Sequence, residues 1–500
     1  MARVAGSISL VATGGVSLLL RMATVPLYLV WLGEEQYSLY LYLLFLTGFV
    51  SLTNLQFVEG AKLRLTEAFA RGDHDGAWRV QQAFTSLALV TALVGLVVVV
   101  ALAGVVPFPA GSSSQAQLMC VLFGFAYAAN VMGESLHPVL YAQDKFQQLA
   151  VREFFVSTGG AVAGIVLVSI YRTPLALAGV AAFNGVVGTL MLWILTKRLY
   201  PEFRVRPRWI PEVNRDLLRI GLRGYLHRAM LTVSTTIDKI LLPHALPLRQ
   251  LSHYQVPGQV PITLQRVMDP IQNTLRPELT RKGMAGSADL AASTERFARI
   301  VLGIACCAIL IPSSFGAPIL AVWLPNGVAM PGGAWVMLAL GGACTLELLH
   351  GVFNSMAYSV GKPHVLVPVA GLNALATAAF TAPLARQFGV VGIAVQNLCL
   401  FVVLLPLLLH QVRRYCAPEM STVRLLRNVA GTLGVALAAV GAGWWLCGWL
   451  SAWGALACAP VLSLLCWAVL RWTGLTPHVR LPGPLRLLEF GRDAPNRLAA

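Results

Sequence analysis

Charge is scarce in this chain. Only 12% of the 500 residues are Asp, Glu, Lys or Arg, while 57% are hydrophobic and the mean hydropathy is +0.70. Soluble proteins carry roughly 25% charged residues, so a soluble globular fold is excluded. The expectation is an all-α polytopic membrane protein. Acids are scarcer still, 21 against 37 basic residues, giving a formal charge of +16. Such an excess suggests nucleic acid as a partner. The basic residues, however, lie in short loops between apolar runs rather than on one soluble face, so nucleic acid is excluded as well.

Catalytic and metal signatures are missing too. There is no phosphate-binding loop, no dinucleotide glycine motif, no His-Glu-x-x-His and no Ser/His/Asp pattern in a soluble segment. The chain therefore reads as a non-enzyme with no cofactor. Any drive must come from an ion gradient such as H+ or Na+, the membrane potential or the substrate's own gradient. Eight of the nine cysteines lie inside apolar runs and only Cys416 sits in a loop, with no Cys-x-x-Cys and no Cys/His cluster. They read as small packing residues, and no metal site is expected. Long outer loops are also lacking. The longest, around 107–115 and 325–333, hold no ionisable side chain, which excludes an extracytoplasmic catalytic domain.

What remains is a succession of apolar runs. At about 20 residues per crossing they amount to about 14 spans, at roughly 4–32, 37–58, 80–106, 117–142, 150–170, 175–197, 217–243, 251–275, 299–323, 334–360, 364–385, 389–411, 427–448 and 452–470. The start is basic then apolar but has no small-residue cleavage site, so it reads as a retained first span. With the N-terminus inside, the outer loops hold only Arg172, Arg249 and Arg386, and every other loop cation falls inside. That asymmetry places both termini in the cytoplasm.

The chain repeats itself. Leu177-Ala-Gly-Val-Ala-Ala-Phe-Asn184 matches Val390-Val-Gly-Ile-Ala-Val-Gln-Asn397 at an offset of 213, as Phe84 matches Phe297. Tyr141 through Lys145 and Pro201-Glu202 recur at an offset of 217. Six spans per repeat keep the orientation, so two parallel bundles are expected around a central cavity. The divisions are 1–200, 201–420, two added spans over 421–475 and a cytoplasmic tail over 476–500. Two repeat-equivalent inner segments, Glu59–Arg79 and Pro277–Arg299, read as interfacial helical connectors.

Several spans are too polar for lipid. Span 7 carries Arg219, Arg223, His227, Ser234 and Asp238 on one broad face, with Arg228 and Lys239 beside it. A charge near the bilayer centre costs about 3 kcal/mol or more, so these residues should face a watery cavity. The alternative is that Arg219 and Arg223 snorkel to the surface while Asp238 pairs with Lys239. Span 1 aligns Ser9, Thr13, Ser17, Arg21 and Thr24, and span 2 aligns Tyr40, Thr47, Ser51 and Asn54. Span 8 aligns Gln255, Gln259, Thr263, Arg266 and Asn273 among Pro257, Pro261 and Pro270, which should bend it. By the repeat, these four helices bring Arg21, Arg223, Arg228 and Arg266 together.

Arginine suits phosphate because its planar fork donates two parallel hydrogen bonds. Hydroxyl and amide stripes suit sugars, although single hydroxyls also serve helix packing. Ser17, Asn54 and Gln259 join the candidate binding set. The intramembrane acids Asp238, Asp269, Glu134 and Glu347 are candidates for coupling or gating. His137 and His350 stand one turn from Glu134 and Glu347. A salt bridge to a cavity arginine is the simpler role for each acid, for example Asp269 with Arg266.

Tyr28-Leu-Val-Trp-Leu-Gly33 followed by Tyr37-Ser-Leu-Tyr40, then Glu67-Ala-Phe-Ala-Arg-Gly-Asp73, resembles the first two spans and loop of Wzx-type polysaccharide (O-antigen) flippases. These belong to the multidrug/oligosaccharidyl-lipid/polysaccharide exporter superfamily. Thr236-Ile-Asp-Lys239, Tyr254 and Pro277-Glu-Leu279 are similar to that family's span 7–8 region. The resemblance covers most of the chain through the order of its motifs. Span 7 departs from it by ending on Pro243-His244 instead of glycines.

The resemblance implies transfer of polyprenyl-pyrophosphate-linked oligosaccharide to the periplasmic leaflet by alternating access. The four arginines would hold the pyrophosphate–sugar head while the tail stays in membrane lipid. Polysaccharide polymerase and export machinery would be partners, and Asp238 would be the first coupling acid. A drug/cation antiporter and a lipid II flippase share the superfamily. A non-transporting scaffold is the reading outside it.

Overall fold

The computed structural model describes the backbone of residues 2–54, 57–105, 113–143, 145–201, 206–325 and 328–477. Side chains are described within these ranges except at 2–19, 21, 59, 105, 113, 146, 223–224, 269–278, 280–281 and 283–285. Every regular element among the described residues is helical. The order is α1 (Ala2–Gly48), α2 (Phe57–Ala70), α3 (His74–Val105), α4 (Ser113–Glu134), α5 (His137–Ala142), α6 (Phe146–Tyr171), α7 (Pro174–Leu199) and α8 (Pro211–Ala245). It continues with α9 (Gln250–Ala285), α10 (Ser287–Ala305), α11 (Ile311–Ser314), α12 (Gly316–Trp323), α13 (Gly333–Ser359), α14 (Val367–Tyr415), α15 (Thr422–Trp449) and α16 (Ala452–Trp472).

Ten described helical stretches are long and apolar enough to cross a membrane. The difference from about fourteen arises at four places. Met22–Thr53 and Pro363–Tyr415 each run through a glycine that breaks the helix, Gly33 (φ 75°) and Gly389 (φ 63°). The other two places are α8 and α9, which are 35 and 36 residues long but too polar to count. The two breaks sit at the same end of the bundle as the 246–249 turn. Leu384 O would lie 2.8 Å from a Cβ at Gly392, so the chain turns back tightly after Gly389. Gly389 has ψ −152°, a region closed to side chains. We expect Gly389→Ala to cost about 1–3 kcal/mol, read as a lower melting temperature in detergent.

The connectors differ from each other. α2 is a separate short helix whose Ala61 and Leu65 are fully buried, as expected for the first segment. The second segment is not a separate surface helix. α9 continues to Ala285, Gly286 (φ 154°) breaks the chain, and α10 begins at once at Ser287. The span expected at 299–323 therefore starts earlier, at Ser287. It carries a π turn over Cys306–Leu310 and a break at Phe315 before α12. Pro257 and Pro261 leave α9 one uninterrupted helix.

Packing follows the internal repeat. α1 lies along α6 as α8 lies along α14, and α4 packs on α7 as α13 packs on α14. One apolar cluster belongs wholly to the second half and includes α15 and α16. A second cluster spans both halves, joining Leu32, Tyr37 and Leu41 to Leu242, Leu251, Met337 and Ile393. This second cluster seals the bundle at the Gly33/Gly389 end. All nine cysteines are free. Trp445, Trp449, Trp453 and Trp472 are exposed on the outer surface of α15 and α16, as aromatic residues at a membrane interface would be.

Candidate functional site

Beyond the sealed end the two halves part, and three chambers open between helices. An interface chamber of about 390 Å³ lies among Ser51, Asn54, Lys62, Glu134, His137, Tyr225, Arg228 and Thr232. A second, of about 260 Å³, lies within the second half and is bounded by His227, Arg228, Gln265, Glu347, Asn354, Tyr358 and Asn373. A third, of about 440 Å³, extends toward the sealed end past Asp238, Lys239, Tyr254, Gln255 and Arg266, with Phe45 as its wall from the first half. The second and third share Ser234, Thr235, Gln265, Glu347, Asn373 and Phe401, so they are continuous.

Arg228 joins the first two chambers. It is the eighteenth of the 35 residues of α8, about 26 Å from either end at 1.5 Å per residue. Its side chain is exposed to the cavity, and it has no hydrogen bond or ion pair among the described residues. A guanidinium left without a protein partner mid-helix is costly in hydrocarbon. It suits an anion that arrives through the cavity.

The charged face of α8 divides in two. His227, Ser234 and Asp238 are almost fully buried and reach the chambers only as part of their walls, while the neighbouring edge of Arg228, Thr232, Thr235 and Lys239 is more open to them. The simpler arrangement of Asp238 is the one observed. Lys239 Nζ lies 3.1 Å from Asp238 Oδ1 and also donates to Thr235 O at 2.6 Å. Tyr254 Oη donates to Asp238 Oδ2 at 2.7 Å, and Asn397 Nδ2 donates to Oδ2 and to Tyr254 Oη at 3.2 and 2.8 Å. The carboxylate is thus surrounded by donors from α8, α9 and α14. Lys239 Nζ also stands 5.5 Å from the Phe45 ring centroid, touching the other half.

The remaining expected residues are placed as follows. Arg266 is exposed in the third chamber. Asn54 Nδ2 donates to Glu134 Oε2 at 3.1 Å in the interface chamber. Glu347 is half-buried between the second and third chambers. Gln259 departs from expectation. It lies outside all three chambers and accepts from Gln255 Nε2 at 3.2 Å, while Gln255 and Gln265 are the span-8 glutamines that line the cavity. The side chains of Ser17, Arg21, Arg223 and Asp269 lie outside the described residues.

The chamber linings hold four basic residues, Lys62, Arg228, Lys239 and Arg266, against three acidic ones, Glu134, Asp238 and Glu347. The cavity is therefore less one-sided than the arginine count suggests. Asp238 and Lys239 cancel locally, leaving the positive excess around Lys62, Arg228 and Arg266. Sequence reasoning missed Tyr254 and the amides Gln265, Asn354, Asn373 and Asn397 as cavity residues, and placed Lys239 only beside the polar face. Lone amides in apolar spans were the available signal, and Asn397 already stood out in the repeat.

The halves also meet through polar contacts. Near the sealed end His253 Nε2 pairs with Glu34 Oε2 at 3.0 Å, and Ser252 N donates to Ser38 Oγ at 3.1 Å. At the opposite end Arg64 of α2 holds Asp216 of α8 at 2.7 Å, and Tyr225 Oη donates to Leu52 O at 2.8 Å. These polar contacts stand beside the shared apolar cluster and, at the α2 end, beside Phe57, Ala61 and Phe84 packed on Leu217.

A sequence model of the family described as polysaccharide biosynthesis protein matches residues 65–326. No curated protein matches the chain significantly. Among solved structures, the fold is similar to "Lipid II flippase MurJ, inward closed conformation". The TM-score is 0.66 at 10% identity, covering 91% of this chain and 98% of that one. It is similar to a multidrug resistance MATE family transporter of the MOP superfamily in its outward-facing conformation. There the TM-score is 0.60 at 14% identity, covering 83% and 96%. A Vibrio cholerae MATE transporter gives a TM-score of 0.60 at 11% identity, covering 84% and 98%.

Proposed function

The chain belongs to the polysaccharide biosynthesis protein family, and from that premise we propose that it is a flippase for polyprenyl-pyrophosphate-linked oligosaccharide repeat units. It moves the head group from the cytoplasmic to the periplasmic leaflet of a bacterial inner membrane, feeding synthesis of a surface polysaccharide. The observation that carries the reading is Arg228, a mid-helix guanidinium with no partner among the described residues, at the junction of two chambers. A pyrophosphate supplies what it lacks, by charge and by fork geometry. Lys62 and Arg266 stand on either side along the path.

The positive-inside bias puts the α2 end in the cytoplasm, so the sealed end is periplasmic and the chambers lie on the cytoplasmic side of the seal. The halves also meet at the α2 end through Arg64–Asp216 and Tyr225–Leu52, so this is a closed arrangement with its cavity on the inner side of the seal. Turnover then requires the Glu34–His253 and Ser38–Ser252 contacts to part while the α2–α8 contacts hold, with the two bundles rocking about the site. Asp238 with Lys239 acts as a gating pair, because it ties α8, α9 and α14 together and touches Phe45 across the cavity. Glu347 is the acid placed to meet an H+ or Na+ in the cavity, since it lines both the second and the third chamber.

His253→Ala should raise the outward-facing population. A single cysteine at Thr235, in a background without native cysteines, would then react faster with a membrane-impermeant maleimide added outside. Unchanged outside labelling would remove the latch role.

The reading is tested by deletion with glycan analysis. Loss of one polymer, with its lipid-linked repeat unit accumulating on the cytoplasmic side, is the expected result. The near balance of lining charge and the MATE-like fold favour one second reading, a multidrug antiporter. An intact polymer profile with increased drug sensitivity would select it. Failure of the cell wall rather than of a dispensable polymer would select lipid II as substrate instead.

A further inference from the structure

Amides are unusual inside a helical membrane bundle, and here most of them are spent on the protein. Asn397 bonds Asp238 and Tyr254, and Gln396 Nε2 bonds Ala376 O and Thr377 O at 3.4 and 3.2 Å. Gln265, Asn354 and Asn373 differ. Each is half-buried, each lines the second chamber, and none of their side-chain amides has a hydrogen-bond partner among the described residues. They come from three helices, α9, α13 and α14, and converge on one space. Their amides keep access to the chamber and are not engaged by the protein, so three of them facing one space are available to a ligand that donates and accepts.

The chemistry of that ligand follows from the side chains. An amide offers two donors and an acceptor with no net charge, which matches a hydroxyl that both donates and accepts. Phe401 walls the second and third chambers and Tyr358 walls the second, giving flat apolar faces beside the amides. Apolar walls with a few placed polar groups are the usual make-up of a small-molecule site. Charge borders the same chamber through Glu347 and through Arg228, which also opens onto the interface chamber with Lys62.

We propose that this chamber is a saccharide subsite, in which Gln265, Asn354 and Asn373 read the hydroxyls of the sugar nearest the pyrophosphate. The proposal rests on the flippase reading and divides the work within it. Arg228 holds the pyrophosphate common to every lipid-linked substrate. The second half then tests which sugar is attached, since a site built around hydroxyls rejects a head group that lacks them. Specificity therefore resides in α9, α13 and α14 rather than in the arginines.

The test is binding to purified full-length protein in detergent, with two probes. One is bare polyprenyl pyrophosphate, and the other is the lipid-linked saccharide extracted from the producing strain. Wild type should bind the saccharide-bearing lipid about tenfold more tightly, the scale of one or two net hydrogen bonds. Asn354→Leu with Asn373→Leu should erase that preference while bare-lipid binding stays at the wild-type level, which also shows that the variant is folded. If the double variant fails to bind the bare lipid, the two single variants are measured, and each should halve the preference or more. Equal binding of both probes by wild type, or a preference that survives in every folded variant, would overturn the subsite and leave the flippase reading standing. No binding of either probe by wild type would overturn both.

Discussion

Arg228→Ala, inserted and folded as wild type, should abolish polysaccharide export. The guanidinium lies mid-helix, opens onto two chambers and has no partner among the described residues, so its removal leaves no protein group unsatisfied. The substitution should therefore be neutral or slightly favourable for stability. Its cost falls on the substrate, which loses charge-assisted hydrogen bonds worth about 1.5–3 kcal/mol, a factor of roughly 10 to 150 in affinity. In the barrier for transfer the loss is at least as large, because the pyrophosphate must remain paired while it crosses. Arg228→Lys keeps the charge without the fork and should fall between the two. Arg266→Ala, at the other end of the path, should behave similarly but more mildly, because Lys239 remains nearby. The measurement is surface glycan by immunoblot beside membrane abundance of each variant. Normal export with Arg228→Ala would remove the anion-binding model.

Asp238→Ala should have the largest effect on folding. Its carboxylate is 1% exposed and takes hydrogen bonds from Lys239, Tyr254 and Asn397. Truncation strands the Lys239 ammonium, which is itself only 12% exposed, and leaves Tyr254 Oη without its acceptor. Breaking a buried pair from one side costs about 3–5 kcal/mol. A large share of the protein's stability would go, seen as a steep fall in melting temperature and in membrane yield. Asp238→Asn combined with Lys239→Met removes both charges and keeps a polar group for Tyr254, so it should recover most of the loss. That double variant also separates structure from mechanism. If it folds but no longer exports, the pair gates transport. If it folds and exports normally, neither gating nor coupling resides at Asp238.

The membrane class and the helical fold were legible because lipid leaves the backbone few choices. A run of about 20 apolar residues must form a helix to satisfy its own hydrogen bonds, and composition alone reveals such runs. The internal repeat was legible for a related reason, since equivalent packing surfaces retain similar residues, as at Asn184 and Asn397. The polar helices α8 and α9 were legible as cavity helices precisely where hydropathy alone passes over them. The second connector was misjudged because its mixed residues suit either an interfacial helix or the end of a long one. Only Gly286 marks the true break.

The partners of individual side chains were decided elsewhere. Helical periodicity puts Arg228 beside the buried face of α8 and Asp238 upon it, but it does not say which neighbouring helix supplies a donor. Asp238 became an occupied carboxylate because Tyr254 and Asn397 arrive from α9 and α14, 16 and 159 residues away along the chain. Gln255 and Gln259 share one helical face, so periodicity does not separate them, and only the packed bundle shows Gln255 lining a chamber with Gln259 bonded to it from outside. The second chamber exists only where four helices, α8, α9, α13 and α14, meet. Composition is a property of residues and survives in any arrangement, whereas a hydrogen bond needs two groups within about 3 Å, and only the packed bundle brings them there.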